Sequence, residues 1–234
     1  MIKMLASVTS VEEARMALDA GADIIDLKNP AQGALGALPL QVIDDIVREV
    51  AGRRPVSATI GDLPMQPELV LRMAESIAAT GVDMLKIGFF GSQWHLECIR
   101  AVAALTAGGQ RIVAVLFADE MPDLSLLPAL ASARFRGVML DTAHKIGGRL
   151  PDHLSLAELR QFVQQAKSLG LLTGLAGSLS EDDIELLAPL APDYLGFRGA
   201  LCEKSSRTNA LNPARVKHLL GVLHACNKTA CYTA

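Results

Sequence analysis

The sequence predicts an α/β chain folded as a single (β/α)8 barrel, of the TIM type, over residues 1–234. Two observations predict it. Short aliphatic runs alternate with amphipathic stretches of about 10 to 15 residues, as repeated β/α units do. Eight such units fit into 234 residues, a compact version of a barrel that typically needs about 250. With 50% hydrophobic and only 4% aromatic residues, the core must be aliphatic.

The expected strands are Lys3 to Val8, Ala22 to Lys28, Pro55 to Gly61, Met84 to Phe90, Arg111 to Ala118, Gly137 to Thr142, Leu171 to Ala176 and Tyr194 to Gly199. Their near-continuous apolarity suits parallel strands covered on both faces. Ser10, Ser155 and Ser180 stand where helix caps are needed, and Gly21, Gly81 and Gly170 where helices end. A doubly wound open sheet is the alternative architecture. It would announce itself by a glycine-rich dinucleotide or phosphate turn, and neither GxGxxG nor GxxxxGK[ST] is present. After Leu223 a frayed tail is expected, from about residue 224.

Composition excludes several classes. A net charge of −3 with interspersed signs offers no footprint for nucleic acid. No run approaches the roughly 20 apolar residues that span a bilayer, and the start is too short for a secretory signal, so a cytoplasmic protein is expected. Cys98, Cys202, Cys226 and Cys231 form no CxxC pair, and the five histidines lack ligand spacing, so neither a disulfide framework nor a metal is expected.

Barrel chemistry collects at the carboxyl ends of strands. Strand two ends Asp26-Leu27-Lys28, which puts Asp26 and Lys28 on one face; strand four carries Lys86 between Leu85 and Ile87. Two lysines then converge on one pocket from alternate strands. Mutual repulsion and partial burial lower a lysine's pKa, and a neutral lysine attacks carbonyls to form imines. Strand six ends Asp141-Thr142-Ala143-His144-Lys145, where Asp141 can move protons and Lys145 can neutralise an oxyanion or a phosphate. Gly147-Gly148 beyond it suits a closing loop. Gly177-Ser178 after strand seven and Arg198-Gly199 after strand eight fit the place where many barrels bind phosphate.

Each feature has a plainer explanation. Asp26 and Lys28 are readable as a structural ion pair, Asp141 as a cap, Lys145 as a solvated loop charge, and Gly177-Ser178 as a tight turn. His144 invites a dyad with Asp141, but no nucleophile is spaced to use it. Nothing separates Arg149 and Arg207 from surface charges.

The motifs together resemble the (5-formylfuran-3-yl)methyl phosphate synthase family of methanofuran biosynthesis. The resemblance rests on Asp26 to Pro30 followed by Gly33 to Ala37, on Leu85 to Gly88, on Leu140 to Lys145, and on Ala176 to Leu179 with Gly196 to Ala200. It implies a cytoplasmic lyase without cofactor that condenses two glyceraldehyde 3-phosphate molecules to the furan aldehyde phosphate, releasing phosphate and water. By position it implies Lys28 as the imine-forming lysine, Lys86 as the proton-transferring one, and Asp26, Asp141 and Lys145 as further catalytic residues. One departure is visible: Ile146 follows Lys145 where archaeal members carry an acidic residue. Two other functions fit the same residues, a class I aldolase acting on another sugar phosphate and a non-catalytic phosphate-binding barrel. Association through the outer helices would make a homo-oligomer of an order the sequence does not set.

Overall fold

The computed structural model describes residues 1–91, 93–144 and 147–230. The strands are β1 (Lys3–Val8), β2 (Ile24–Leu27), β3 (Val56–Thr59), β4 (Met84–Gly88), β5 (Arg111–Phe117), β6 (Gly137–Asp141), β7 (Leu172–Leu175) and β8 (Tyr194–Phe197). Each pairs parallel with the next, and β8 pairs with β1 to close the barrel. Every strand falls inside its expected segment. The expected segments are mostly longer because the residues past each strand end still read as apolar while the chain already turns.

The helices around the barrel are α1 (Val11–Ala20), α2 (Leu40–Val50), α3 (Pro67–Ala78), α4 (His95–Ala101), α5 (Ala103–Ala107), α6 (Leu127–Ser132), α7 (Leu150–His153), α8 (Leu156–Ser168), α9 (Asp182–Leu187) and α10 (Pro213–Ala230). Ser10 caps α1 by accepting from the Glu13 amide, and Ser155 forms a reciprocal capping box with Glu158. Ser180 lies one residue before the α9 cap; its amide and hydroxyl both donate to Asp183. Gly21 ends α1 at φ 99°, a left-handed turn that a side chain would strain. The tail expected after Leu223 is instead helix as far as Ala230. Asn227 explains the difference: its Oδ1 accepts from the Ile2 amide at 2.8 Å and its Nδ2 donates to the Ile2 carbonyl at 2.9 Å, tying the last helix to the start of β1.

Alternation along the strands divides the core in two. Outward residues such as Val8, Leu27, Ala58, Leu85, Ile87 and Leu140 pack under the helices, while Leu5, Ile24, Met84, Val113, Val115, Met139 and Tyr194 fill the barrel. Tyr194 fits because its neighbour across β7 is Gly174, where an added Cβ would lie 2.3 Å from the ring. By the same alternation the upper inward positions are Ser7, Asp26, Ser57, Thr59, Lys86 and Asp141, all buried. The apolar plug thus supports a polar layer at the carboxyl end.

Gly174→Ala tests that plug: overpacking against the Tyr194 ring should cost about 1–3 kcal/mol in urea unfolding. An unchanged midpoint would mean that the ring has room the packing denies.

Candidate active site

The polar layer centres on Asp26, which is fully buried on β2. Its Oδ1 accepts from Lys86 Nζ at 2.9 Å and Ser57 Oγ at 2.6 Å; its Oδ2 accepts from Lys86 Nζ at 3.0 Å and Ser7 Oγ at 2.9 Å. Register explains the set. Ser7, Asp26 and Ser57 lie side by side on β1, β2 and β3, and Lys86 on β4 reaches across from beside Thr59. Burial pushes the Asp26 carboxyl up, but the Lys86 charge, then Lys28 and the Ser57 hydrogen bond, hold it below its ordinary value.

Lys28 stands just beyond the end of β2 and is also buried. Its Nζ lies 3.6 Å from Asp141 Oδ2 at the end of β6, an ion pair longer than a hydrogen bond. Asp141 Oδ1 accepts from the Thr142 amide at 2.8 Å. The ion pair considered from sequence, Asp26 with Lys28, is therefore not the one that forms: Asp26 takes Lys86, and Lys28 takes Asp141. His144 does not join Asp141 either, since its Nδ1 and its amide both face Asp119, at 3.3 and 2.7 Å. Lys145, expected in the site both from its place after strand six and by resemblance, lies outside the described residues.

Both lysines line one cavity of about 490 Å³ that also touches Ser7, Met139 and Asp141 and extends over the loops after β7 and β8. Asp26 lies beneath it and does not reach its wall. A roof covers the other side of the barrel mouth. After β2, Gly33 turns at φ 114°, so the amides of Ala34 and Leu35 donate to Asp62 at 2.7 and 2.6 Å, and Leu35 is buried against the barrel core. An added Cβ on Gly33 would lie 1.9 Å from the Asp62 carboxylate.

Beyond β7, Gly177 and Ser178 both take left-handed backbone, φ 113° and 51°. Gly177 is needed for close approach, since a Cβ there would come within 2.9 Å of Thr142 Cγ2. Among the described residues the amides of Ser178, Leu179, Gly199 and Ala200 donate to no acceptor, and all four residues line the cavity. Such a group of open amides can receive an anion. Arg198 contributes differently from what its position suggests. Its guanidinium has five N–H donors, and all are taken: Nε by Arg207 O, Nη1 by Ser7 O and Glu13 Oε2, Nη2 by Glu13 Oε1 and Asn209 O. The buried pair with Glu13, which burial pushes up but Arg198 holds below its usual range, fixes the segment after β8 to α1.

Sequence reasoning missed Ser7, Ser57 and Asp62, and left Arg207 among the surface charges. The two serines carry a signal, a small polar residue at an inward position near a strand end. Asp62 and Arg207 carry none, because their partners, in the segment from Gly33 to Leu35, are distant in sequence. Cys98 and Cys202 are buried, and burial pushes both thiols up, Cys98 to about 11, as for inert core residues. Among the described residues no group of three or more His, Cys, Asp or Glu side chains could hold a metal, and no helix is long and apolar enough to cross a membrane.

The sequence profile of the 4-HFC-P synthase family matches residues 4–220. The chain is 38% identical to the (5-formylfuran-3-yl)methyl phosphate synthase of Methanopyrus kandleri, over 88% of this chain and 91% of that protein. It is 36% identical to the synthase of that name from Archaeoglobus fulgidus, over 95% of this chain and all of that one. A Methylorubrum extorquens protein given the same name provisionally is 44% identical, over 95% and 92% of the two chains. Among solved structures, phosphoribosyl anthranilate isomerase from Thermus thermophilus superposes with a TM-score of 0.66 at 16% identity, covering 96% of this chain and 99% of that one. The 3-hexulose-6-phosphate synthase of Salmonella typhimurium gives 0.65 at 16%, covering 95% and 100%. At such identity the likeness is one of fold.

The Asp26–Lys86 pair predicts a pH dependence. Because the folded Asp26 carboxyl lies below its ordinary 3.8, its stabilisation is complete above that pH and is lost as pH falls through the folded value. Asp26→Asn leaves the Lys86 ammonium buried without its anion and should cost about 3–5 kcal/mol at pH 7. Urea unfolding of both proteins at pH 7 and pH 3 checks this; the gap should narrow at pH 3, and a constant gap would contradict it.

Proposed function

Since the chain belongs to the 4-HFC-P synthase family, we propose that it makes (5-formylfuran-3-yl)methyl phosphate from two molecules of glyceraldehyde 3-phosphate, with loss of one phosphate and of water, through an imine on Lys28. The observation that carries the reading is the pair of buried lysines on one cavity wall, each with its own carboxylate.

The two ion pairs support a division of labour. Lys86 is held at hydrogen-bond distance by both oxygens of Asp26, and so suits proton transfer more than covalent attack. Lys28 is held at a longer distance at the rim, where a carbonyl arriving from the cavity meets its Nζ. Once Lys28 donates its proton to Asp141 it attacks the carbonyl carbon; Asp141 then returns that proton to the carbinolamine hydroxyl, which leaves as water, and a protonated imine remains. That imine withdraws electrons from the adjacent carbon, and Lys86, once it has passed a proton to the Asp26 carboxylate it already bonds, removes the proton there. The resulting enamine carbon attacks the aldehyde of the second triose and forms the carbon–carbon bond.

Asp141 and Lys145 would carry the protons that interconvert the aldehyde and ketone forms of the first triose. Asp26 lies under the cavity wall, so its part in phosphate elimination runs through Lys86, whose charge and position it sets. Ring closure and dehydration then give an aromatic furan, which makes the sequence irreversible. The amides of Ser178, Leu179, Gly199 and Ala200 offer a phosphate site beside Lys28. Arg198 holds the segment that carries Gly199 and leaves phosphate contact to the backbone.

Purified protein incubated with glyceraldehyde 3-phosphate should release one phosphate for each furan formed, read by furan absorbance and free phosphate together. Lys28→Ala should abolish both signals. A carbon–carbon condensation product without phosphate release would make the protein an ordinary class I aldolase, and no turnover would leave a phosphate-binding barrel.

A further inference from the structure

A condensation of two triose phosphates brings two phosphate dianions into one cavity, and the open amides after β7 and β8 account for one. Arg198 cannot take the other, because all its donors are spent within the chain. Lys28 and Lys86 are each paired with a carboxylate.

Arg207, in the segment between β8 and α10, differs from these. Its guanidinium lines the cavity and is half-buried. One donor, on Nη2, is spent on the Gly33 carbonyl at 2.6 Å, and among the described residues the side chain makes no other hydrogen bond. Of the five N–H groups of an arginine, four therefore remain for a ligand. The group is also held in place from two sides. Gly33 fixes it to the roof over the barrel mouth, and Arg198 Nε grips the Arg207 backbone carbonyl at 2.8 Å. Burial pulls its guanidinium below the ordinary value, against Asp141 and Asp62, whose charges reach it. It remains a cation with a planar fork, the geometry that binds phosphate in bidentate fashion.

We propose that Arg207 binds the phosphate of the second triose, the one that condenses with the imine-bearing triose on Lys28, so that two anion sites serve the cavity: backbone amides after β7 and β8, and the Arg207 fork under the roof. This inference rests on the synthase reading. It makes Arg207 the residue that distinguishes a second phosphorylated substrate from an unphosphorylated aldehyde.

The test separates the two substrates. Glyceraldehyde 3-phosphate is titrated into native protein and into Arg207→Gln and Arg207→Lys. Half-saturation is measured twice, for borohydride-trapped adduct by intact mass and for furan formation. In Arg207→Gln the trapping concentration should stay within about twofold of native, while half-maximal furan formation should need about tenfold more substrate, the loss of one charge-assisted contact. Arg207→Lys, which keeps the charge without the fork, should fall between, and it carries the test if the Gln variant does not fold. A parallel shift in both curves would mean that Arg207 only supports the roof beside Lys28, and would overturn the proposal. So would two unchanged curves while native protein makes furan. Native protein that makes no furan would instead overturn the synthase reading, and this inference with it.

Discussion

A lysine ammonium taken out of water needs an anion and hydrogen bonds in the same place, and the barrel supplies both to Lys86 through Asp26. The carboxylate accepts two bonds from Lys86 and one each from Ser7 and Ser57, so four adjacent strands meet in one neutral, satisfied cluster. Removing one partner of such a cluster leaves the other charge buried without compensation. The cluster therefore constrains sequence on β1 to β4 together, and it forms the floor on which the cavity stands. Because Asp26 is committed to Lys86, Lys28 turns to Asp141 across the barrel, and the two lysines acquire different surroundings although both began as ammonium groups at strand ends.

The cavity is one-sided because of two further ties. Asp62 draws the segment after β2 over the barrel mouth, where Leu35 is buried above β4. Glu13 and Arg198 hold the segment after β8 against α1, with every donor of the guanidinium used. The open part that remains lies between the loops after β7 and β8 and the roof, and there the unclaimed amides and the Arg207 fork face the lysines' cavity. Rigid ties on both flanks fit the proposed synthase reaction, which would hold two small anionic molecules in one orientation before any bond forms.

Much of this was legible in the chain. Alternation alone puts Asp26 and Lys28 on one face and turns Lys86 inward between Leu85 and Ile87, and the count of eight β/α units places them on alternate strands of one barrel. What alternation does not contain is partner choice: Asp26 has Lys28 two residues away in sequence yet pairs with Lys86, sixty residues on, because the stagger of β3 and β4 brings Lys86 over it. Arg198 reads as a phosphate contact by position and is a strut, since Glu13 at the first turn of α1 is invisible to any local pattern. The last helix reads as a tail because its apolar spacing weakens after Leu223, while a single asparagine hydrogen-bonded to the Ile2 backbone anchors it.

The central claim is that the two lysines differ in role because their carboxylates hold them differently. Peptide mapping of the borohydride-reduced complex with glyceraldehyde 3-phosphate tests it most directly. The account predicts that the added mass sits on the peptide containing Lys28 and that Lys86 stays unmodified; an adduct on Lys86, with Lys28 untouched, would contradict it.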